Sequence, residues 1–208
     1  MDRGTARDWE DLQRAADKWQ ASTPQRIKSL LGNLSEQHDG MAIDQLQHSL
    51  QTATRALRAG VSEELIVAAL CHDIGTGISH ENHCAIGAAI LRPYVSEHVC
   101  QIVLTHQDFQ RLHYHEQFGK SIDARRRYAG EPWFGAAERF SDEWDQASFD
   151  PDYETYSLDY FSPALDSVFA TPRRLRGVPE SRTAPVRPSI SSGWLKRVRD
   201  IVFGGRPG

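Results

Sequence analysis

Four histidines and two aspartates are distributed through the middle of this 208-residue chain, each on or beside an apolar run. His48 lies in Leu46-Gln47-His48-Ser49-Leu50. His72 and Asp73 follow the run Val67 to Cys71, His83 and His106 lie in two further apolar runs, and Asp145 follows Trp144. Imidazole and carboxylate are the donors that suit iron, manganese, zinc and related ions. Six of them on elements that must pack together predict a two-metal centre. The His72-Asp73 pair alone would read as a helix end reaching solvent; the other four positions give it the metal reading.

The elements that must position these residues are helices. Trp9, Leu12, Ala15, Ala16 and Trp19 recur at helical spacing and predict an amphipathic helix over 8–20. Thr23-Pro24 opens a short helix that runs to Leu31 and stops at Gly32. Asp44 starts the helix that carries His48 and ends at Gly60. Ser62, with Glu63 and Glu64, starts the one that delivers His72-Asp73, broken by Gly75 and Gly77. Residues 82–92 form the next, with His83 in its first turn, and Ser96-Glu97 opens the helix of His106. Segments 120–128 and 132–145 also read as helical, the second with Pro132 in its first turn and Asp145 at its end. Ser162-Pro163 opens a last helix to Ala170. No segment reads as a strand. The expected fold class is all-α, a helical bundle around a dinuclear metal site with a basic C-terminal tail. Residues 1–34 would be N-terminal helices packed on the core, 35–171 the metal-binding domain, and 172–208 a Pro/Arg/Ser-rich linker and short amphipathic helix.

Composition narrows the function. The sequence has no apolar run of transmembrane length and begins without the apolar core of a signal peptide, so a cytoplasmic protein is expected. Cys71, Cys84 and Cys100 read as reduced, buried thiols rather than as a disulfide framework or a catalytic nucleophile. The formal net charge of −4 is uneven: residues 172–208 hold nine Lys or Arg against Glu180 and Asp200, which leaves the rest of the chain acidic. An acidic body argues against nucleic acid as a partner. In the tail, Trp194, Leu195, Val198, Ile201 and Val202 share a helical face opposite basic residues, a pattern that permits contact with a partner or a membrane surface. Packing back on the acidic body is the simpler expectation.

The order His48, His72-Asp73, His83, His106, Asp145 resembles the HD-domain superfamily of metal enzymes over roughly residues 40–170. Ile43-Asp44-Gln45-Leu46-Gln47-His48-Ser49-Leu50-Gln51, Ala68-Ala69-Leu70-Cys71-His72-Asp73-Ile74-Gly75, the stretch from His83 through Gly87, and Trp144-Asp145 are similar to one branch of it. That branch is the mixed-valent di-iron oxygenases, the PhnZ/TmpB-like organophosphonate dioxygenases. The resemblance implies that His48, His72, Asp73 and Asp145 hold one metal, and that His83 and His106 hold the second, with Asp73 bridging. His80 is the rival for His83 in the same loop. The implied cofactor is two iron ions, Fe(II)/Fe(III), with Mn, Mg or Zn as alternatives. The implied reaction uses O2 to cleave a C–C or C–P bond of a small hydroxylated substrate. HD phosphohydrolases use the same ligand types to hydrolyse nucleotides or other phosphate esters.

The chain departs from the branch at the positions that read the substrate. Thr76 stands where many relatives carry a His, Lys or Glu that meets substrate. Gln110 replaces a Lys after the fourth histidine, and Asp142 replaces an Arg before the last aspartate. Phosphate and phosphonate recognition usually relies on such Arg and Lys groups, so their loss weakens both substrate classes. His38 and Met41 occupy the places of a lid Tyr and Glu, where His38 would serve as a temporary ligand or acid–base group. Arg111, His113, Tyr114 and His115 follow the fourth histidine and are the candidates to line the pocket. Tyr153, Tyr156, Tyr160 and Phe161 read as core packing. A third reading is a noncatalytic module with a structural metal and a basic tail for a partner.

Overall fold

The computed structural model describes residues 2–38 and 40–173. The tail expected to carry an amphipathic helix at 194–203 lies outside the described residues. Within them the secondary structure is helical throughout: α1 (Ala6–Ala21), α2 (Thr23–Asn33), α3 (Gln45–Arg58), α4 (Glu63–Cys71), α5 (His83–Leu91), α6 (Glu97–Tyr114), α7 (Phe134–Arg139) and α8 (Leu158–Phe169). No strand occurs among the described residues, and none of their helices is long and apolar enough to cross a membrane.

The bundle is organised around α4. Leu65 through Cys71 are all buried, because this helix is apolar on every side and must be covered on every side. It packs against α3, α6 and α8, with α5 completing the enclosure. Ile66, Leu70, Ile74, Leu91, Ile102, Phe109, Phe140, Phe161, Leu165 and Phe169 form the fully buried centre. The starts of α3 and α6 are fixed as their residue types predict: Asp44 and Ser96 are in extended backbone, and their side chains accept from the amides of Gln47 and Val99. Tyr156 stacks on Tyr160 with ring centroids 4.2 Å apart, and Phe161 fills the core beneath them.

Four expectations are corrected. Gly32 does not stop α2, which continues to Asn33. The segment 120–128 is reduced to a 3₁₀ turn at Ala124–Tyr128. Its three consecutive arginines reach different carboxylates, Arg125 to Asp142, Arg126 to Asp123 and Arg127 to Asp108, which anchors the segment in several directions at once. The last helix opens at Ser157, whose side chain accepts from the Tyr160 amide, and Pro163 falls inside it rather than at its start. The helix expected over 132–145 is α7 followed by a π-helical turn at Phe140–Asp145. The first helix, α1, buries no residue: Trp9, Leu12 and Trp19 are exposed, and this helix leans on α2 while Gln20 bonds to Tyr94 and Phe169.

Candidate metal centre

His48 is delivered by the first turns of α3. His72 is the residue that ends α4, and Asp73 follows in a tight turn closed by bonds from the Thr76 amide and hydroxyl to the Asp73 carbonyl, at 2.9 and 2.8 Å. The turn lies against α5 backbone to backbone. A methyl group on Gly75 would lie 2.5 Å from the His83 carbonyl oxygen, and one on Gly87 would lie 2.7 Å from the His72 carbonyl oxygen. Only glycine at both places lets the His-Asp turn and His83 come this close. His106 comes from α6, and Asp145 from the end of the π-helical turn, where the Gln146 amide bonds the Ser141 carbonyl at 3.1 Å.

All six side chains converge. His48 Nε2 lies 3.1 Å from His72 Nε2, 3.2 Å from Asp145 Oδ1 and 3.5 Å from Asp73 Oδ2. His72 Nε2 lies 3.3 Å from Asp73 Oδ2 and 3.4 Å from Asp145 Oδ1. On the other side of the same carboxylate, Asp73 Oδ1 is 3.4 Å from His83 Nε2 and 3.2 Å from His106 Nε2, and those two nitrogens are 3.3 Å apart. Donors bound to one ion at about 2.0–2.2 Å stand roughly 3.0–3.5 Å from one another. The spacing therefore suits two adjacent cations sharing Asp73, one facing four donors and the other a triangle of two imidazoles and one carboxylate.

The imidazoles are oriented for this. Each Nδ1 donates to a backbone carbonyl: His72 to Ala69 at 2.8 Å, His83 to His80 at 2.5 Å, His106 to Val103 at 2.7 Å and His48 to Ser148 at 2.8 Å. That fixes the tautomer in which Nε2 presents its lone pair to the centre. Asp73 Oδ1 and Asp145 Oδ2 are buried without a hydrogen-bond donor. Lone pairs facing buried carboxylates are mutually repulsive unless a positive charge sits between them, so the residues present fit a metal.

Titration behaviour reflects the same crowding. Burial opposes charge on His72, but Asp73 and Asp145 outweigh it and push its pKa up to about 10. Burial likewise opposes charge on His106, which Asp73 and Cys84 nevertheless hold well above the ordinary value. Asp73 and Asp145 are held low against the cost of burial, Asp73 by His72 and His106, and Asp145 by His72 and His48. The centre thus attracts cations, whether protons or metals.

The remaining candidates are placed as follows. His80 is exposed, and its contribution is the carbonyl that orients His83. His38 is exposed in the connection between α2 and α3. Thr76 spends its hydroxyl proton on the Asp73 turn. His113 turns to Asp142, with Nε2 2.8 Å from Oδ1, and Arg125 holds the same carboxylate at 3.0 Å. Arg111 pairs with Asp108 at 2.7 Å and lines a cavity of about 310 Å³ with Glu81, Gln107, Tyr114, His115 and Lys120. Tyr114 lines the same cavity, and burial raises its pKa against the charge of Arg111.

Several contributors escape sequence reasoning. Gln110 donates to Asp145 Oδ1 at 3.1 Å, and Phe149 stacks on His48 with centroids 4.3 Å apart. Arg55 and Gln51 of α3 grip the carbonyls of Ala147 and Asp150 at 2.8 and 2.6 Å, which places the Ser148 carbonyl over His48. Cys84, expected to be buried and inert like Cys71 and Cys100, is half-buried with its sulfur 3.2 Å from His83 Nε2. Burial raises its pKa, yet His106 and His83 outweigh that and bring it down to about 6. Its only sequence signal is adjacency to His83.

Residues 46–139 match the family model of the HD domain. The span includes His48, His72, Asp73, His83 and His106, while Asp145 lies beyond its end. The match supports the HD superfamily for this chain, and the helical architecture is consistent with an HD-domain bundle. Over that span the chain is similar to HD domains, and it carries a His/Asp cluster that could hold a metal. A comparison with curated proteins returns no match.

Proposed function

From an HD-type bundle with a His/Asp cluster at its centre, we propose a di-iron oxygenase that uses O2 to cleave a C–C or C–P bond of a small hydroxylated substrate. His48, His72, Asp73 and Asp145 would hold one iron, and His83, His106 and Asp73 the other. The observation that carries this reading is the unequal count of histidine and aspartate donors on the two sides of Asp73. Two histidines and one carboxylate on a single triangular face are the donor set of non-haem iron oxygenases, which leaves positions open for O2 and substrate. The iron pair, when bound, would supply the redox chemistry and the Lewis acidity.

The chain's own residues would do the rest. Asp73 would offer one carboxylate oxygen to each ion. The four backbone carbonyls hold the imidazoles in one tautomer, so ligand geometry is set before loading. Gln110 holds the Asp145 carboxylate, and Tyr114, in the wall of the cavity, would donate its phenolic proton to a bound hydroxylated substrate. Lys120, and Arg111 beside its partner Asp108, would draw an anionic group to the cavity.

That basic lining also favours a second reading, a metal-dependent phosphohydrolase acting on a nucleotide or other phosphate ester. One experiment separates them: protein purified without oxygen is assayed for metal content and examined by EPR after partial oxidation. Two irons per chain with a mixed-valent signal that changes on O2 exposure are expected. Manganese, magnesium or zinc with no O2-sensitive signal would overturn the oxygenase reading in favour of hydrolysis.

A further inference from the structure

We propose that Cys84 is a thiolate ligand of the metal held by His83, His106 and Asp73, so that this site is N₂OS in donor type while its neighbour is N₂O₂. The inference rests on the reading of the cluster as a metal centre, and not on the oxygenase assignment.

Cys84 Sγ lies 3.2 Å from His83 Nε2 and 3.8 Å from His106 Nε2, and those nitrogens are 3.3 Å apart. An ion with nitrogen at about 2.1 Å and sulfur at about 2.3 Å separates cis nitrogen and sulfur by roughly 3.1–3.6 Å. The observed triangle matches that to within a few tenths of an ångström. Asp73 Oδ1 is buried, lacks a hydrogen-bond donor, and lies 3.4 and 3.2 Å from the same two nitrogens. It marks the position of the ion independently of the sulfur. The other two thiols are placed differently. Cys71 is enclosed in the core of α4, and the buried Cys100 donates to the Ala88 carbonyl at 3.6 Å. Cys84 alone among the three is half-buried, on the first turn of α5 beside a candidate ligand.

Coordination needs no redox partner: the thiol proton leaves to solvent and the sulfur lone pair binds the ion. Thiolate is a soft donor, so this side would discriminate against magnesium and calcium and in favour of zinc or iron. The two ions would then differ in electron richness as well as in exposure. Four donors still leave a six-coordinate ion two open positions.

The test is anaerobic loading of the full chain with cobalt(II), comparing wild type with Cys84→Ser and Cys84→Ala. Wild type with two cobalt ions per chain should show a thiolate-to-cobalt charge-transfer band in the near ultraviolet. Both variants should lose that band, keep the ion of the His48/His72 site, and bind the second cobalt about tenfold more weakly or worse. Two bound cobalt ions without the band, or a band that survives in Cys84→Ala, would overturn the ligand assignment and leave the metal centre standing. Failure of wild type to bind cobalt, zinc or iron would overturn both. Should the variants misfold, X-ray absorption on the wild-type zinc protein decides, through the presence or absence of a sulfur neighbour at about 2.3 Å.

Discussion

His48 and His83 hold equivalent places on opposite sides of Asp73, yet they are oriented by different kinds of contact. His83, like His72 and His106, donates Nδ1 to the carbonyl three residues earlier, so its orientation is settled within its own turn. His48 donates to Ser148, one hundred residues away, and depends on α3 gripping the segment that follows the π-helical turn. His48 and Asp145 are 1% and 0% exposed, whereas His83 is 6% exposed and half-buried Cys84 sits beside it. One half of the centre is closed by tertiary structure, and the other is assembled locally at the rim. The first should report on global folding, and the second on the approach of two short backbone segments.

The largest expected effect removes what both halves share. Asp73→Ala should abolish binding of both metals, read as loss of two ions per chain by elemental analysis; retention of two would refute the bridging role. Gly75→Ala should separate the halves. Its methyl would collide with the backbone of His83, so α5 must shift, costing about 1–3 kcal/mol in unfolding free energy. The rim metal should be lost and the deep one retained; loss of the deep metal alone would reverse the comparison.

Gln51→Ala is the converse. It frees the 147–150 segment that presents the Ser148 carbonyl, and should weaken the deep metal by about tenfold while leaving the rim metal untouched. Calorimetric titration of each ion measures the difference. A pH series sharpens it further. With no cation present, His72 keeps a proton up to about pH 10 because Asp73 and Asp145 outweigh the penalty of burial. A metal must displace that proton, so affinity should rise with pH, by about tenfold per unit for each proton released, and level off above about 10. A pH-independent affinity between 6 and 9 would rule out this competition. The smallest effect is expected from His113→Ala. It removes one part-exposed hydrogen-bond partner of Asp142, which Arg125 still satisfies, so stability should fall by no more than about 1 kcal/mol and both metals should stay. Loss of either ion would move His113 into the centre.

How much of this could be read from sequence follows the same division between local and distant causes. The helices that carry the histidines are legible because their apolar spacing and their caps, Asp44 and Ser96, act within one or two turns. The helical fold class is legible for the same reason. Gly75 and Gly87 show in the sequence only as breaks or small residues, since what they permit is contact with a segment elsewhere in the chain. The Ser148 carbonyl is invisible, because any residue supplies one. Cys84 resembles Cys71 and Cys100 in its apolar surroundings until α5 is set against α6. Pro163 misleads as a helix start because Ser157 supplies the stronger local cap.

The π-helical turn at Phe140–Asp145 has a consequence for how this chain can change length. In an α-helix each residue advances the side chain by about 100°, so whatever follows a turn is aimed by counting. The wider turn resets that count just before Asp145, and its carboxylate faces His48 and His72 only in the new phase. One residue deleted between 140 and 144 would swing the carboxylate out of line. The segment is therefore intolerant of insertion and deletion as well as of substitution at its buried positions.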